Sequence, residues 1–359
     1  MIVLKILLFV FILGLIILVH EAGHFFWAKK FHVHIYEFSI GMGPILKNKK
    51  GKDGIDYNLR AVPIGGFVAM AGEVYEDDDL KKIPKEDFMC NKPWYQRIII
   101  LVAGVVNNFI LAIILLFLMS LIWGGTTLKP VVKSVVDDSA MQEAGVTAGD
   151  TILKINNYSI KTWDEAQIVL YMKDADGVYD FTIKHSDGSV ETYNITPKTV
   201  KDEETGKDQK VFGVEIVQEE AKGLFGSIGY AFSKFQSIMN SMSLTIYGLF
   251  SGKISMSALS GPVGIYEVIG ESVAAGLYYV IYVIAFLSIN VGYINILPFP
   301  AFDGGRVFFL IIEKIKGSPV NSKFESTCHM VGFCLLILLM IYVTYQDVLR
   351  FIIKWKTNF

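Results

Sequence analysis

Four long apolar runs punctuate the chain: residues 1–19, broken only by Lys5, then 98–123, about 277–297 and about 330–349. As helices rising about 1.5 Å per residue, each reaches across about 30 Å of hydrocarbon. The first run continues into HEAGHFFW and has no small-residue cleavage site, which sets it apart from a removable signal peptide. Between the second and third runs the pattern changes. Residues 128–217 carry short alternating segments, VVKSVV, TILKINN, VYDFTIKH, VETYNITP and KVFGVEI, separated by turn signals such as SDGS. They predict one small, mostly β domain, with DSAMQEAG and WDEAQIVLYMK as short helices. Residues 221–250 mix apolar positions with Ser, Gly, Lys and Gln, which predicts an amphipathic interfacial helix. The alternative, a fifth span, would move every later segment to the other side of the bilayer. In the first loop, IDYNLRAVPI followed by GGFVAMAGE predicts short strands joined by Gly and Pro turns. Such a hairpin either braces the spans or offers an open edge to an extended peptide.

The plan is then an α-helical polytopic membrane protein: span one at 1–27; a loop with a membrane-associated β-hairpin region at 28–96; span two at 97–123; an inserted domain at 128–218; the amphipathic helix at 221–250; span three, with a broken end, at 277–303; a loop at 304–328; and span four at 329–352. Composition agrees: 52% of residues are hydrophobic and 19% charged, against about a quarter charged in soluble domains. Lysines and arginines crowd the first loop (Lys47, Lys49, Lys50, Lys81, Lys82) and the last (Arg306, Lys314, Lys316, Lys323), so both face the cytoplasm. The inserted domain then lies outside; Arg350, Lys354 and Lys356 pull against this orientation. A net charge of -2 gives no reason to expect nucleic acid. Cys90, Cys328 and Cys334 form neither a disulfide framework nor a CxxC pair.

Against this background the ionisable residues at the end of span one stand out. His20-Glu21-Ala22-Gly23-His24 fits H-E-x-x-H. One helical turn puts both histidines on one face, able to share a metal, with Glu21 beside them as a general base. Charged groups at such a place are costly and mark function. A catalytic zinc usually takes three protein ligands. The candidate for the third is Asp303 in ILPFPAFDGGR, where Pro298 and Pro300 end the helix and Gly304 and Gly305 permit a tight turn. Asn290 and Asn295, on the approach to Asp303, are candidates for an oxyanion donor or for holding substrate backbone. Asn107 and Asn108, inside span two, serve either helix packing or substrate. His-His-Asp also suits cobalt or iron(II).

These residues resemble the site-2 protease family, in its bacterial RseP/RasP-type branch. The matches are HEAGH at 20–24, GGFVAMAGE at 65–73, AGVVNNF at 103–109, SGPVGI at 260–265 and NILPFPAFDGGR at 295–306, with AGVTAGDTILKINN at 144–157 as the clearest part of a single PDZ-like domain. The resemblance implies one zinc per chain held by His20, His24 and Asp303, with Glu21 as catalytic base. It implies substrate contacts at Asn108, Asn290 and Asn295 and along Gly65, Gly66, Phe67 and Val68. It implies single-span substrates already trimmed by another protease, such as anti-sigma factors and leftover signal peptides, in a bacterial cell membrane. The PDZ-like domain would bind a new peptide C-terminus or act as a steric gate. Three departures are visible: Phe302 stands where the family has Leu before Asp-Gly, Val105 stands in the place of a proline, and there is room for one PDZ-like domain where some members have two. The rival within enzymes is a sporulation-type protease acting on a membrane-tethered pro-sigma factor, which generally lacks the inserted domain. The rivals from other classes are a divalent-metal transporter and an inactive scaffold. Oligomeric state is not legible.

Overall fold

The computed structural model describes residues 2–73, 83–172, 177–201 and 208–357. Lys81 and Lys82 of the first loop, and Lys173 of the short-helix segment, lie outside them. The chain divides into two compact units, 1–115 with 259–359, and 116–258.

Among the described residues, four helices are long and apolar enough to cross a membrane: Val3–Lys30, Trp94–Trp123, Leu277–Ile296 and Ser322–Ile353. They belong to α1 (Ile2–Lys30), α2 (Trp94–Trp123), α7 (Leu277–Ile296) and α9 (Ser322–Thr357). Their outer faces carry exposed Leu, Ile, Val and Phe, as lipid requires in place of water.

In the first unit, α1 leads into β1 (Ile35–Lys50) and β2 (Asp56–Met70). The two short strands expected at 55–64 and 65–73 are one bent strand, β2, whose partner is β1. Phe38 pairs with Val68 on one side and with Tyr57 on the other, while Asn48 pairs with Asn58. Both long strands therefore fold over, and residues 37–40 become central in a small curled sheet with 66–70 as an outer strand. Gly41, Gly43 and Gly65, all at positive φ, supply the bends. Val33, Ile35, Val68 and Met70 pack this sheet on Ala28 of α1 and Ile100 of α2.

The second unit is an open sheet with helices. β3 (Gly125–Val135), β4 (Thr151–Ile155), β5 (Tyr158–Ser159), β6 (Tyr179–Lys184), β7 (Val190–Ile195) and β10 (Val214–Ala221) join in the order β10-β3-β4-β6-β7, with β5 on β4; β8 (Lys198–Lys201) and β9 (Asp208–Val211) pair separately. Its core is Ile152, Ile155, Phe181, Ile183, Met141, Ala166 and Val169. The last three come from α3 (Ala140–Glu143) and α4 (Trp163–Tyr171), capped by the side chains of Ser139 and Thr162.

α5 (Gly223–Phe250) follows. It is not among the four candidate spans. One face is tied to the sheet unit: Lys234 pairs with Asp164 at 2.7 Å, Ser237 donates to Asp164 at 2.6 Å, and Asn240 donates to Glu165 at 2.8 Å. Leu224, Phe225, Ile228 and Phe232 are exposed on the other face.

The chain re-enters the first unit at α6 (Pro262–Ala275), whose N-terminus is held from the last span. Asp347 of α9 is buried and accepts from Gly261 N at 2.9 Å and Gly264 N at 2.8 Å, two orphan donors of the helix start. Beyond α7 the expected broken end and loop are instead a turn and a further helix, α8 (Asp303–Lys316), so Asp303 opens a helix and does not end one. Prolines 298 and 300 stop α7. α8 restarts with an acid in its first turn and Lys314 and Lys316 in its last, complementing the helix dipole.

Candidate active site

The His-Glu-x-x-His residues lie on α1 where it crosses α2 at close range. A Cβ on Gly23 would sit 2.6 Å from the Ala103 carbonyl carbon and 2.9 Å from Gly104 N, so only glycine lets the two backbones approach this far. On α2, residues 100, 104 and 108 stand one turn apart on the face that meets both histidines. The Ile100 carbonyl accepts from His24 Nδ1 at 2.8 Å. Gly104 leaves the space the rings occupy: a Cβ there would be 2.7 Å from His20 Nε2 and closer still to His24 Nε2. Asn108 Nδ2 is 3.3 Å from His20 Nδ1.

Asp303 arrives from the other end of the sequence. After α7, Phe299 N donates to Leu297 O at 2.7 Å and Phe302 N to Phe299 O at 3.2 Å, while Ala301 takes a positive φ of 81° and donates to His329 Nδ1 at 3.0 Å. α8 then folds back against the end of α7. A Cβ on Gly304 would meet the Ile296 carbonyl carbon at 2.5 Å, and one on Gly305 would meet Phe299 C at 2.9 Å. The two glycines after the aspartate are what allow this return.

The result is a compact triad. His20 Nε2 lies 3.1 Å from Asp303 Oδ2, His24 Nε2 3.4 Å from the same oxygen, and the two Nε2 atoms 3.2 Å apart. Metal bonds of about 2.0–2.1 Å in a tetrahedron separate neighbouring ligands by about 3.3–3.5 Å. The spacing and the donor set therefore fit a tetrahedral ion such as zinc, and among the described residues this is the one group with such geometry. Both histidines are buried.

Glu21, next to the triad, has Arg306 among its charged neighbours. Arg306 in turn pairs with Glu73, in the turn that follows β2. The outer strand runs past Glu21: a Cβ on Gly66 would lie 3.3 Å from Glu21 Cγ and 3.2 Å from Ile17 Cγ2. Arg306, Glu73, Arg97, Glu313, Glu325 and His329 line a polar cavity of about 510 Å³.

The other residues expected to touch substrate have these surroundings. Gly65 stands at a bend within β2, at φ 89°. Phe67 lies under the Arg60 guanidinium at 5.1 Å, and Val68 is a core side chain. Asn290 donates to its own helix at Phe286 O, 2.7 Å, and Asn295 lies in the last turn of α7. Asn107 donates to Val19 O at 3.2 Å and so ties α2 to α1. Asn108 is fully buried against His20. Sequence reasoning missed Ile100, Gly23 and Gly104 as parts of the site. The signal was available in the spacing of small and polar residues at 100, 104 and 108, but its partner helix lies some eighty residues away.

Comparison with known proteins points the same way. Residues 8–339 match the model of peptidase family M50. A Clostridium acetobutylicum protein carrying a provisional zinc-metalloprotease name is 35% identical, over 93% of this chain and 94% of its own. The zinc metalloprotease RasP of Shouchella clausii is 32% identical over 95% and 98%. The regulator of sigma-W protease RasP of Bacillus subtilis is 29% identical over 95% and 97%. The family match takes in all or part of every membrane-crossing helix, and on that extent the chain belongs to peptidase family M50, the site-2 proteases, and is a zinc metalloendopeptidase of the membrane.

Proposed function

We propose that the protein hydrolyses peptide bonds within the transmembrane segments of single-span membrane proteins that another protease has already trimmed. The observation that carries this is the triad's place: His20 and His24 lie on a membrane-crossing helix, with Asp303 turned in beside them. One zinc per chain, held by His20, His24 and Asp303, would supply Lewis acidity toward water and the scissile carbonyl. Glu21 takes the proton of the attacking water and delivers it to the departing amine nitrogen.

A substrate helix hides its carbonyls in its own hydrogen bonds, so a segment must be held extended before it is cut. The outer strand at 66–70, running beside Glu21, supports strand addition there, with backbone pairing in place of the lost helical bonds. Asn290 and Asn295, which precede Asp303 in the sequence, would serve the same task. The polar cavity beside Arg306 supports water entry from that side. The loop charges support an orientation with the active site near the cytoplasmic face of a bacterial cell membrane, the sheet unit outside as a PDZ-like domain, and α5 at the interface with Phe225 and Phe232 toward lipid.

The name of the Bacillus subtilis relative, a regulator of sigma-W, supports anti-sigma factors as substrates, with remnant signal peptides as a second class. The inserted sheet unit favours this over a sporulation-type protease. Its exposed surface is open either to a peptide C-terminus or to a purely steric role.

The test is cleavage of a trimmed single-span substrate by purified protein in detergent, for the parent and Glu21→Gln, with and without chelator. Cleavage by the parent alone, abolished by chelator, is the expected result. Cleavage by Glu21→Gln at the parental rate, or cleavage indifferent to chelator, would overturn it.

A further inference from the structure

A histidine that ligates a metal through Nε2 must carry its proton on Nδ1, and a buried Nδ1–H needs an acceptor. The two histidines meet this need differently. For His24 the acceptor is the Ile100 carbonyl, 2.8 Å from Nδ1, a backbone group that no substitution removes. For His20 the group facing Nδ1 is the side-chain amide of Asn108, at 3.3 Å. The Asn108 side chain is fully buried, and its Oδ1 is without a hydrogen-bond partner. An orphan acceptor deep in a membrane helix is costly. It lies on the same amide as the group that meets Nδ1, and half a turn about the last side-chain bond exchanges the two.

We infer that Asn108 is the positioning residue of the metal centre: its amide oxygen accepts from His20 Nδ1–H, fixing the tautomer that turns Nε2 toward the metal. With Nδ2 toward the ring, Nδ1 is an acceptor and Nε2 carries the proton toward Asp303 Oδ2, 3.1 Å away. With Oδ1 toward the ring, Nε2 is free to ligate. The backbone at this residue is held from a third helix, since Ser288 Oγ of α7 donates to the Asn108 backbone carbonyl at 2.9 Å. Asn108 thus completes the face on which Ile100 orients one ligand and Gly104 makes room for both. A direct substrate contact, by contrast, needs exposed surface, and this side chain has none.

The inference rests on His20, His24 and Asp303 being the metal ligands. The experiment titrates zinc against a chromophoric competitor, and records the visible bands of the cobalt-substituted protein, for the parent and for Asn108→Leu, Asn108→Ala and Asn108→Asp. Aspartate keeps an acceptor; leucine and alanine remove it. Loss of a ligand's hydrogen-bond partner typically weakens a site about 10–100-fold. The leucine and alanine variants should fall in that range with altered cobalt bands, and aspartate should stay within about threefold of the parent. If leucine does not fold, the smaller alanine carries the comparison. Parental affinity and bands in a folded acceptor-free variant would overturn the inference, as would an aspartate variant as weak as alanine. A raised KM with unchanged metal affinity would mark a substrate residue and likewise overturn it. Failure of the parent itself to bind metal would instead remove the reading of the triad.

Discussion

Replacing Gly104 with alanine adds one methyl group at the point where α2 meets the histidine rings. The new Cβ would stand 2.7 Å from His20 Nε2 and His20 Cε1, and nearer to His24 Nε2. Comfortable non-bonded contact begins near 3.5 Å, so His20 must retreat by about 0.8 Å, and His24 by more. Metal–ligand distances tolerate about 0.2 Å. The displacement is about four times that. Both rings are the free ends of side chains, so the backbone need not move and the fold should survive. We expect zinc affinity to fall at least about 10²-fold, with proteolysis lost in step. The assay pairs zinc competition with the melting temperature of chelator-stripped protein in detergent. Stripped melting within a few degrees of the parent, together with the lost affinity, is the signature. An alanine variant that binds zinc within threefold of the parent and cleaves at the parental rate would refute the claim that Gly104 is kept small for the ligands.

Other predictions follow from neighbouring contacts. Gly23→Ala aims its Cβ at the Ala103 and Gly104 backbone, which cannot yield as a side chain can; it should lower stability by about 1–3 kcal/mol or more, and an unchanged melting temperature would count against the close crossing. Asp347→Ala strands the buried Gly261 amide and the part-buried Gly264 amide and should cost on the order of 2–4 kcal/mol, with Asp347→Asn milder because it keeps an acceptor; equal melting of all three proteins would dismiss the clamp on α6. Glu37, in the curled sheet, gives a pH test. Burial would raise its carboxyl, but hydrogen bonds from Ser39, Arg60 and Asn58 outweigh it and hold it below the ordinary value. A folded value below the unfolded one, about 4.3, means stability that is complete above that pH and lost as pH falls through the folded value. The melting gap between the parent and Glu37→Gln should therefore be full at pH 7 and narrow as pH falls below about 4.3; a gap that stays constant down to pH 3 would exclude this contribution.

The parts of this protein that were legible in its sequence are those set by a local period or a local break. The membrane-crossing helices follow from runs of apolar residues, the pairing of His20 with His24 from 3.6 residues per turn, and the break around Asp303 from two prolines before it and two glycines after it. The sheet unit was legible as alternation, but its strand order was not, because β10 joins beside β3 only through contacts some eighty residues apart. The curled sheet shows a different limit. Residues 55–64 and 65–73 read as two short strands joined by turns, whereas they form one bent strand, β2, and its partner 35–50 was not legible as a strand; nothing in the alternation says that both bend at their glycines so that Phe38 gains a partner on both sides.

The same limit governs the site, and it explains why Asn108 reads in two ways from sequence. A polar residue inside an apolar run announces only that something must satisfy it. Whether that something is a substrate or another side chain depends on the face it occupies, and the face is fixed by Gly23 and Gly104, which are silent as residue types and informative only once the crossing is known. The close crossing brings α2 against the rings, the contact gives Ile100 and Asn108 a ring nitrogen each, and the ligand chemistry follows from that packing. A sequence in which the HEAGH and AGVVNN segments kept their polar residues but lost either glycine would still carry the motif, and would hold its two histidines where a metal could not bridge them.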